Sequence, residues 1–184
     1  NIPRQWKFRE WGSELKMATV QSVFSFTLKK VSPFLLAVFF ILLVRIPIGT
    51  GISSYIIPMV GLMYVFYWTI NRRRVVPVWS IFFLGLLEDF ISGGPIGILS
   101  ILLVVVHSGL DNQRRFFVNR SFLVSWTGFS IICIGISVIY WFLEAFHFGG
   151  FLSPTPLMFK VFSTIIFYPI FGWIFGKYDR AVIR

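Results

Sequence analysis

The sequence predicts an all-α polytopic membrane protein, a six-helix transmembrane bundle with a broken central helix pair. Three observations support this prediction. The 184 residues are 57% hydrophobic and only 13% charged, which is unusual for a soluble domain. Apolar segments of helix length recur along the chain, and short basic or glycine- and proline-containing stretches separate them. One such stretch interrupts an apolar region that also contains two adjacent acids.

Composition and motifs exclude several classes of function. The net charge of +10 does not indicate nucleic-acid binding, because the basic residues lie at the ends of apolar segments rather than in one tract. The single cysteine, Cys133, excludes an intrachain disulfide. The glycines at 93, 94 and 97 are not followed by Lys and Ser or Thr, so they do not form a phosphate-binding motif. No serine, histidine and aspartate triad fits the predicted topology. We therefore expect no catalytic residue, cofactor, metal ion or nucleic-acid partner.

Residues 1–31 are expected to form a basic cytoplasmic tail. Phe8, Trp11 and Leu15 recur at helical spacing among lysines and arginines, which predicts an amphipathic helix on an anionic membrane surface. A poorly ordered basic tail is the alternative. Residues 32–178 then form the six-span domain, and residues 179–184 form a second cytoplasmic tail.

The first two spans form a hairpin. The first covers residues 33–48 and carries Arg45 near its outer end. Glycines at positions 49 and 51 predict a short turn. The second span covers residues 54–70 and stops at the basic run 71–74.

The central pair covers residues 78–110 and contains Glu88 and Asp89 at its middle. A helix rarely continues through Gly-Gly-Pro, because glycine is conformationally loose and proline lacks a donor and clashes with the preceding turn. The broken segment must be covered by helices or water. Each arm has about fifteen residues, so the pair forms either two short tilted spans or a re-entrant hairpin. The residues of this break are Ser92, Gly93, Gly94, Pro95 and Gly97.

The last two spans are longer. The fifth covers residues 121–146, and a loop at residues 147–156 leads into the sixth, at residues 157–176, which contains Pro169. The tryptophans near span ends are expected to anchor the protein at the membrane interface. They are Trp79, Trp126, Trp141 and Trp173.

The basic residues predict the orientation. In the six-span topology all but Arg45 and Lys160 of the 17 lysines and arginines lie on one side. The positive-inside rule makes that side cytoplasmic. We therefore expect both termini to lie in the cytoplasm.

Four ionisable side chains lie in apolar sequence at a comparable depth, in the outer half of the bundle. They are Arg45, Glu88, Asp89 and Glu144. A buried charge without a partner is costly, so we hypothesise that Arg45 pairs with Asp89 or Glu144. A proton relay or ion pathway is the alternative, although it would usually need acids that continue inward.

Residues 87–97 resemble the signature of the rod shape-determining membrane protein family MreD. The shared pattern is an aliphatic run, an aspartate, two apolar residues, Ser-Gly, then a small residue or proline and a glycine. An arginine cluster at 72–74, the ending of the fifth span at 140–144 and Pro169 extend the resemblance, which covers roughly residues 33–178. Glu88 departs from the pattern, because an apolar residue is usual there.

The resemblance implies a non-enzymatic inner-membrane scaffold of the cell-wall elongation complex. Such a protein would bind MreC and work with MreB, the polymerase RodA and a class B penicillin-binding transpeptidase. Whether the chain also forms a homo-oligomer is left open by the sequence. The family is similar in arrangement to the substrate-binding subunits of vitamin transporters, so a small-molecule (vitamin) binding subunit is the alternative function.

Overall fold

The computed structural model describes residues 31–45, 57–72, 76–117, 120–150 and 153–183. Six α-helices follow one another in this part of the chain, and a short π-helix, Asp179–Ile183, continues the last of them. The α-helices are α1 Val31–Val44, α2 Val60–Asn71, α3 Val78–Ser92, α4 Ile98–Phe117, α5 Phe122–Phe148 and α6 Thr155–Tyr178.

Helix α2 lies at the centre of the bundle. All of its residues except Tyr67 and Asn71 are buried, and it packs against α3, α4 and α6. A helix that is apolar all round is expected in such a position. With 12 residues it is about 18 Å long, well short of the roughly 30 Å of a bilayer core. Both of its ends therefore need partners inside the protein.

Helices α3 and α4 form the predicted broken pair. The chain leaves α3 through Gly93, whose φ of 69° is left-handed, and enters α4 after Gly97, whose φ is 98°. Glycine adopts such angles without steric cost, so the expected break is confirmed. The two helices approach closely at Gly85, where a Cβ would lie 2.5 Å from the Cα of Ser100.

Helices α5 and α6 are long and apolar enough to cross a membrane. They pack against each other, and the rings of Phe129 and Tyr168 stack with centroids 4.1 Å apart. Pro169 lies inside α6 and removes the donor that would serve the carbonyl of Ile165. The indole of Trp126 donates to that carbonyl at 3.1 Å. Trp126, which the sequence places at the membrane interface, therefore bonds to α6 within the bundle.

The second span is shorter than predicted. The sequence predicts it over residues 54–70, yet α2 begins only at Val60. Residues 57–59, which include Pro58, are not helical. The fifth and sixth spans agree with α5 and α6 to within about two residues. The amino-terminal tail through residue 30, the turn at 49–53 and the arginines at 73 and 74 lie outside the described residues.

Candidate functional site

Glu88 binds the amino-terminal end of α2. Its side chain is only 2% exposed, and its Oε2 accepts a hydrogen bond from the backbone N–H of Gly61 at 3.0 Å. Thr164 of α6 serves the same helix end, since its hydroxyl accepts from the N–H of Met59 at 3.0 Å. The first N–H groups of a helix have no partner within the helix. Glu88 and Thr164 supply those partners from other helices.

Asp89 binds the start of a different helix, α4. It is 1% exposed, and its Oδ2 accepts from the N–H groups of Gly97 at 2.9 Å and Leu99 at 3.1 Å. An aspartate that accepts from the first turn stabilises a helix by capping it and by lying at the positive end of its dipole. Successive residues of a helix point about 100° apart. Adjacent acids on α3 therefore reach two different neighbours.

The bond to Glu88 depends on glycine at position 61. A Cβ there would lie 2.5 Å from Glu88 Oε2 and 3.2 Å from side chains of Leu84 and Leu103. Only a residue without a side chain lets the carboxyl approach the α2 backbone this closely. Gly61 and Glu88 thus form one structural unit. The acid that departs from the family signature has a defined role in it.

The turn after α3 packs against α5. A Cβ on Gly94 would lie 2.5 Å from the hydroxyl of Tyr140, and Pro95 is buried. Gly94 and Pro95 are therefore covered by protein, whereas Gly93 and Ile96 of the same turn are exposed.

The predicted pairing of Arg45 is wrong. Its Nη1 donates to the carbonyl of Ile91 at 3.3 Å and its Nη2 donates to the hydroxyl of Ser92. Within the described part of the chain, none of its nitrogens lies within 4.0 Å of a carboxyl oxygen. The unsatisfied carbonyls at the end of α3 attract a cation, and Asp89 is already engaged by α4. Arg45 therefore caps the carboxyl end of α3.

Lys160 joins this polar region, and sequence reasoning missed it. It lies on α6 and interacts electrostatically with Glu88, Glu144 and Asp89. Its Nζ also lies 5.8 Å from the ring centroid of Tyr140, within the range of a cation–π contact. The available signal was a lysine inside an apolar segment at the depth of the three acids.

A cavity of about 440 Å³ opens beside the turn. Glu144 and Lys160 provide its charged groups, and Ser92 and Tyr140 provide hydroxyls. This composition is suited to a small polar ligand. Among the described residues, no group of three histidines, cysteines or acids could hold a metal ion.

The opposite end of the bundle is basic and is fastened by arginines. Arg114 at the end of α4 donates from Nε to the carbonyl of Ile70 at 2.7 Å. Arg72 follows α2 and pairs with Asp179, with Nε and Oδ1 3.1 Å apart. Both arginines tie the carboxyl end of α2 to its neighbours. The two ends of the central helix are therefore held by side chains of opposite charge.

Comparison with known proteins agrees with the family resemblance of residues 87–97. The family model of the rod shape-determining protein MreD matches residues 24–177. An uncharacterized protein of Rickettsia prowazekii is 27% identical over 119 residues, which are 63% of this chain and 68% of that protein. No solved structure matches, so the expected similarity to vitamin-transporter subunits stays a prediction.

Proposed function

Because the chain belongs to the MreD family of rod shape-determining membrane proteins, we propose that it is a non-enzymatic scaffold of the cell-wall elongation complex. In this role it binds MreC in the bacterial inner membrane and links wall synthesis to cell shape. MreB, RodA and a class B penicillin-binding transpeptidase act in the same assembly. The protein crosses the membrane several times and keeps both termini in the cytoplasm.

The use of the two acids carries this proposal. Glu88 and Asp89 both accept hydrogen bonds from backbone N–H groups of neighbouring helices. The most characteristic motif of the chain therefore maintains the bundle. A rigid bundle with apolar outer faces is what a binding partner in the membrane requires, since helix association there depends on close packing.

The distribution of charge supports the orientation. Arg72, Arg114 and Lys177 lie near the ends of α2, α4 and α6, which meet at the basic end of the bundle. Arg45 and Lys160 lie at the other end, where both interact with Glu88. By the positive-inside rule the basic end faces the cytoplasm.

Co-purification from native membranes tests the scaffold role. A tagged chain extracted in mild detergent should retain MreC, identified by mass spectrometry. Gly85→Leu, which forces α3 and α4 apart, should lose MreC. Gly135→Leu is the matched control, because nothing lies within 4 Å of a Cβ at that position. Failure of the wild-type chain to retain MreC would contradict the proposal.

The cavity beside the turn favours one second candidate, a small-molecule (vitamin) binding subunit. Its lining of Ser92, Tyr140, Glu144 and Lys160 offers donors and acceptors in one recess. Mass spectrometry of the isolated protein should then detect a tightly bound polar molecule, and Lys160→Met should lose it. A protein that retains MreC and carries no such molecule rejects this candidate.

A further inference from the structure

The basic end of the bundle contains a second, larger cavity. It has a volume of about 660 Å³ and lies between α2, α4, α5 and α6. Arg114 and Arg120 line it together with the polar side chains of Asn71 and Ser125. Its wall is otherwise mostly aromatic, and Trp173 stands at its edge with 63% of its surface exposed. It is separate from the turn and from both capping acids.

The charges around this cavity are unbalanced. Two arginines line it, and a third cation, Lys177, lies with its Nζ 5.3 Å from the centroid of the Trp173 ring. No aspartate or glutamate is among the described residues that line it. Asp179, the nearest acid in sequence to Lys177, is paired with Arg72. The cavity therefore favours an anion.

Arg114 has capacity for such a ligand. Its two bonds to the α2 carbonyls use Nε and Nη2, whereas a guanidinium carries five N–H donors in a planar fork. Ser125 lies in the first turn of α5, whose amino-terminal residue has no side-chain cap. The N–H groups of Val124 and Ser125 already bond the carbonyl of Ser121, so Ser125 contributes its hydroxyl, which can donate to an anion. This donor set is suited to phosphate oxygens.

We propose that this cavity binds the phosphate group of an anionic phospholipid. The aromatic edge formed by Phe122 and Trp173, which are 53% and 63% exposed, would lie against the acyl chains. A basic recess between helices, at the depth where head groups lie, is a known type of lipid site. The basic amino-terminal residues 1–30 are a poor alternative occupant, because like charges repel. Lipid binding at this cavity requires that the protein lies in a membrane, but it does not require that the protein binds MreC.

Lipid retention in phosphatidylcholine nanodiscs that contain a minor share of phosphatidylglycerol tests this site. Native mass spectrometry of the full chain should show phosphatidylglycerol bound in preference to phosphatidylcholine. Arg120→Gln should lower its retention roughly tenfold, as expected for the loss of a charge-assisted hydrogen bond. Arg115→Gln is the matched control, because Arg115 is exposed on the same end and does not line the cavity.

A steric variant separates the cavity from general surface charge. Gly172 lines the cavity, and nothing lies within 4 Å of a Cβ there, so Gly172→Leu should fill space and lower retention without changing any charge. Gly135→Leu serves as its control on α5. Equal retention in wild type, Arg120→Gln and Gly172→Leu would overturn the proposal. Displacement of the lipid by millimolar inorganic phosphate would show that the site takes the free ion, which also overturns it.

Discussion

Glu88 and Gly61 are 27 residues apart in sequence, yet the Oε2 of Glu88 accepts a hydrogen bond from the N–H of Gly61 at 3.0 Å. Helix α2 is too short to cross a bilayer alone, and this contact holds its amino-terminal end inside the bundle. Glu88→Ala leaves a buried donor without a partner, which costs about 1–3 kcal/mol. We expect the free energy of unfolding in detergent to fall by at least that much.

Glu88→Gln separates shape from charge. The amide keeps an oxygen that can accept from Gly61, so we expect a smaller loss than in Glu88→Ala. Glu144→Ala is the control, because Glu144 is half-buried and lines an open cavity. Thermal unfolding in one detergent ranks the three variants. An Ala variant at 88 as stable as the control would show that the carboxyl contributes nothing to the bundle.

Two glycines should tolerate no side chain. Gly61→Ala places a Cβ 2.5 Å from Glu88 Oε2, and Gly85→Ala places one 2.5 Å from the backbone of Ser100. Overpacking of this kind costs about 1–3 kcal/mol. Gly135→Ala has open space around it and should instead stabilise α5 by up to about 1 kcal/mol. Parallel unfolding curves check the opposite signs, and losses of the same size at all three glycines would reject the close approaches.

Arg45 should be coupled to Ser92 and not to Asp89. Its guanidinium donates to the Ser92 hydroxyl and to the carbonyl of Ile91, whereas Asp89 accepts from α4. In double-mutant cycles with alanine, contacting residues give coupling energies of about 0.5–3 kcal/mol. We expect coupling in that range for Arg45 with Ser92 and a smaller value for Arg45 with Asp89. The reverse order would restore the ion pair that the sequence suggested.

Trp126 should contribute more to stability when position 169 is proline than when it is not. The indole donates to the Ile165 carbonyl at 3.1 Å, so Trp126→Phe should cost about 0.5–1.5 kcal/mol. In a Pro169→Ala background the residue at 169 regains an N–H for that carbonyl, and the same change should cost less. Unfolding of the wild type, Trp126→Phe, Pro169→Ala and the double variant tests this. An equal cost in both backgrounds would mean that the indole stabilises α6 in another way.

The sequence was sufficient for the helix order and for the break after Ser92. Apolar periods and Gly-Gly-Pro are local signals, so they placed α3, α5 and α6 closely. The start of α2 was less predictable, since residues 57–59 leave the helix where hydropathy alone would continue it. Hydropathy also does not show that α2 is enclosed on all sides.

The polar contacts were only partly predictable. Depth along the spans predicts that Arg45, Glu88, Asp89 and Glu144 lie in one region, but it treats them only as partners for opposite charges. The buried backbone ends of α2, α3 and α4 are stronger competitors for these side chains, because their N–H and carbonyl groups have no water to bind. Which helix ends are buried depends on how the helices pack, and the sequence does not show this packing. The predicted topology places Lys160 away from the basic side, but it does not show that this lysine lies beside the acids.

The most direct test of the central claim is amide hydrogen exchange, measured by NMR at Gly61, Gly97 and Leu99 in Glu88→Ala and Asp89→Ala. We predict that Glu88→Ala accelerates exchange at Gly61 and leaves Gly97 and Leu99 protected, whereas Asp89→Ala does the opposite. If each variant affected all three amides equally, or neither affected any, the assignment of the two acids to two separate helices would be contradicted.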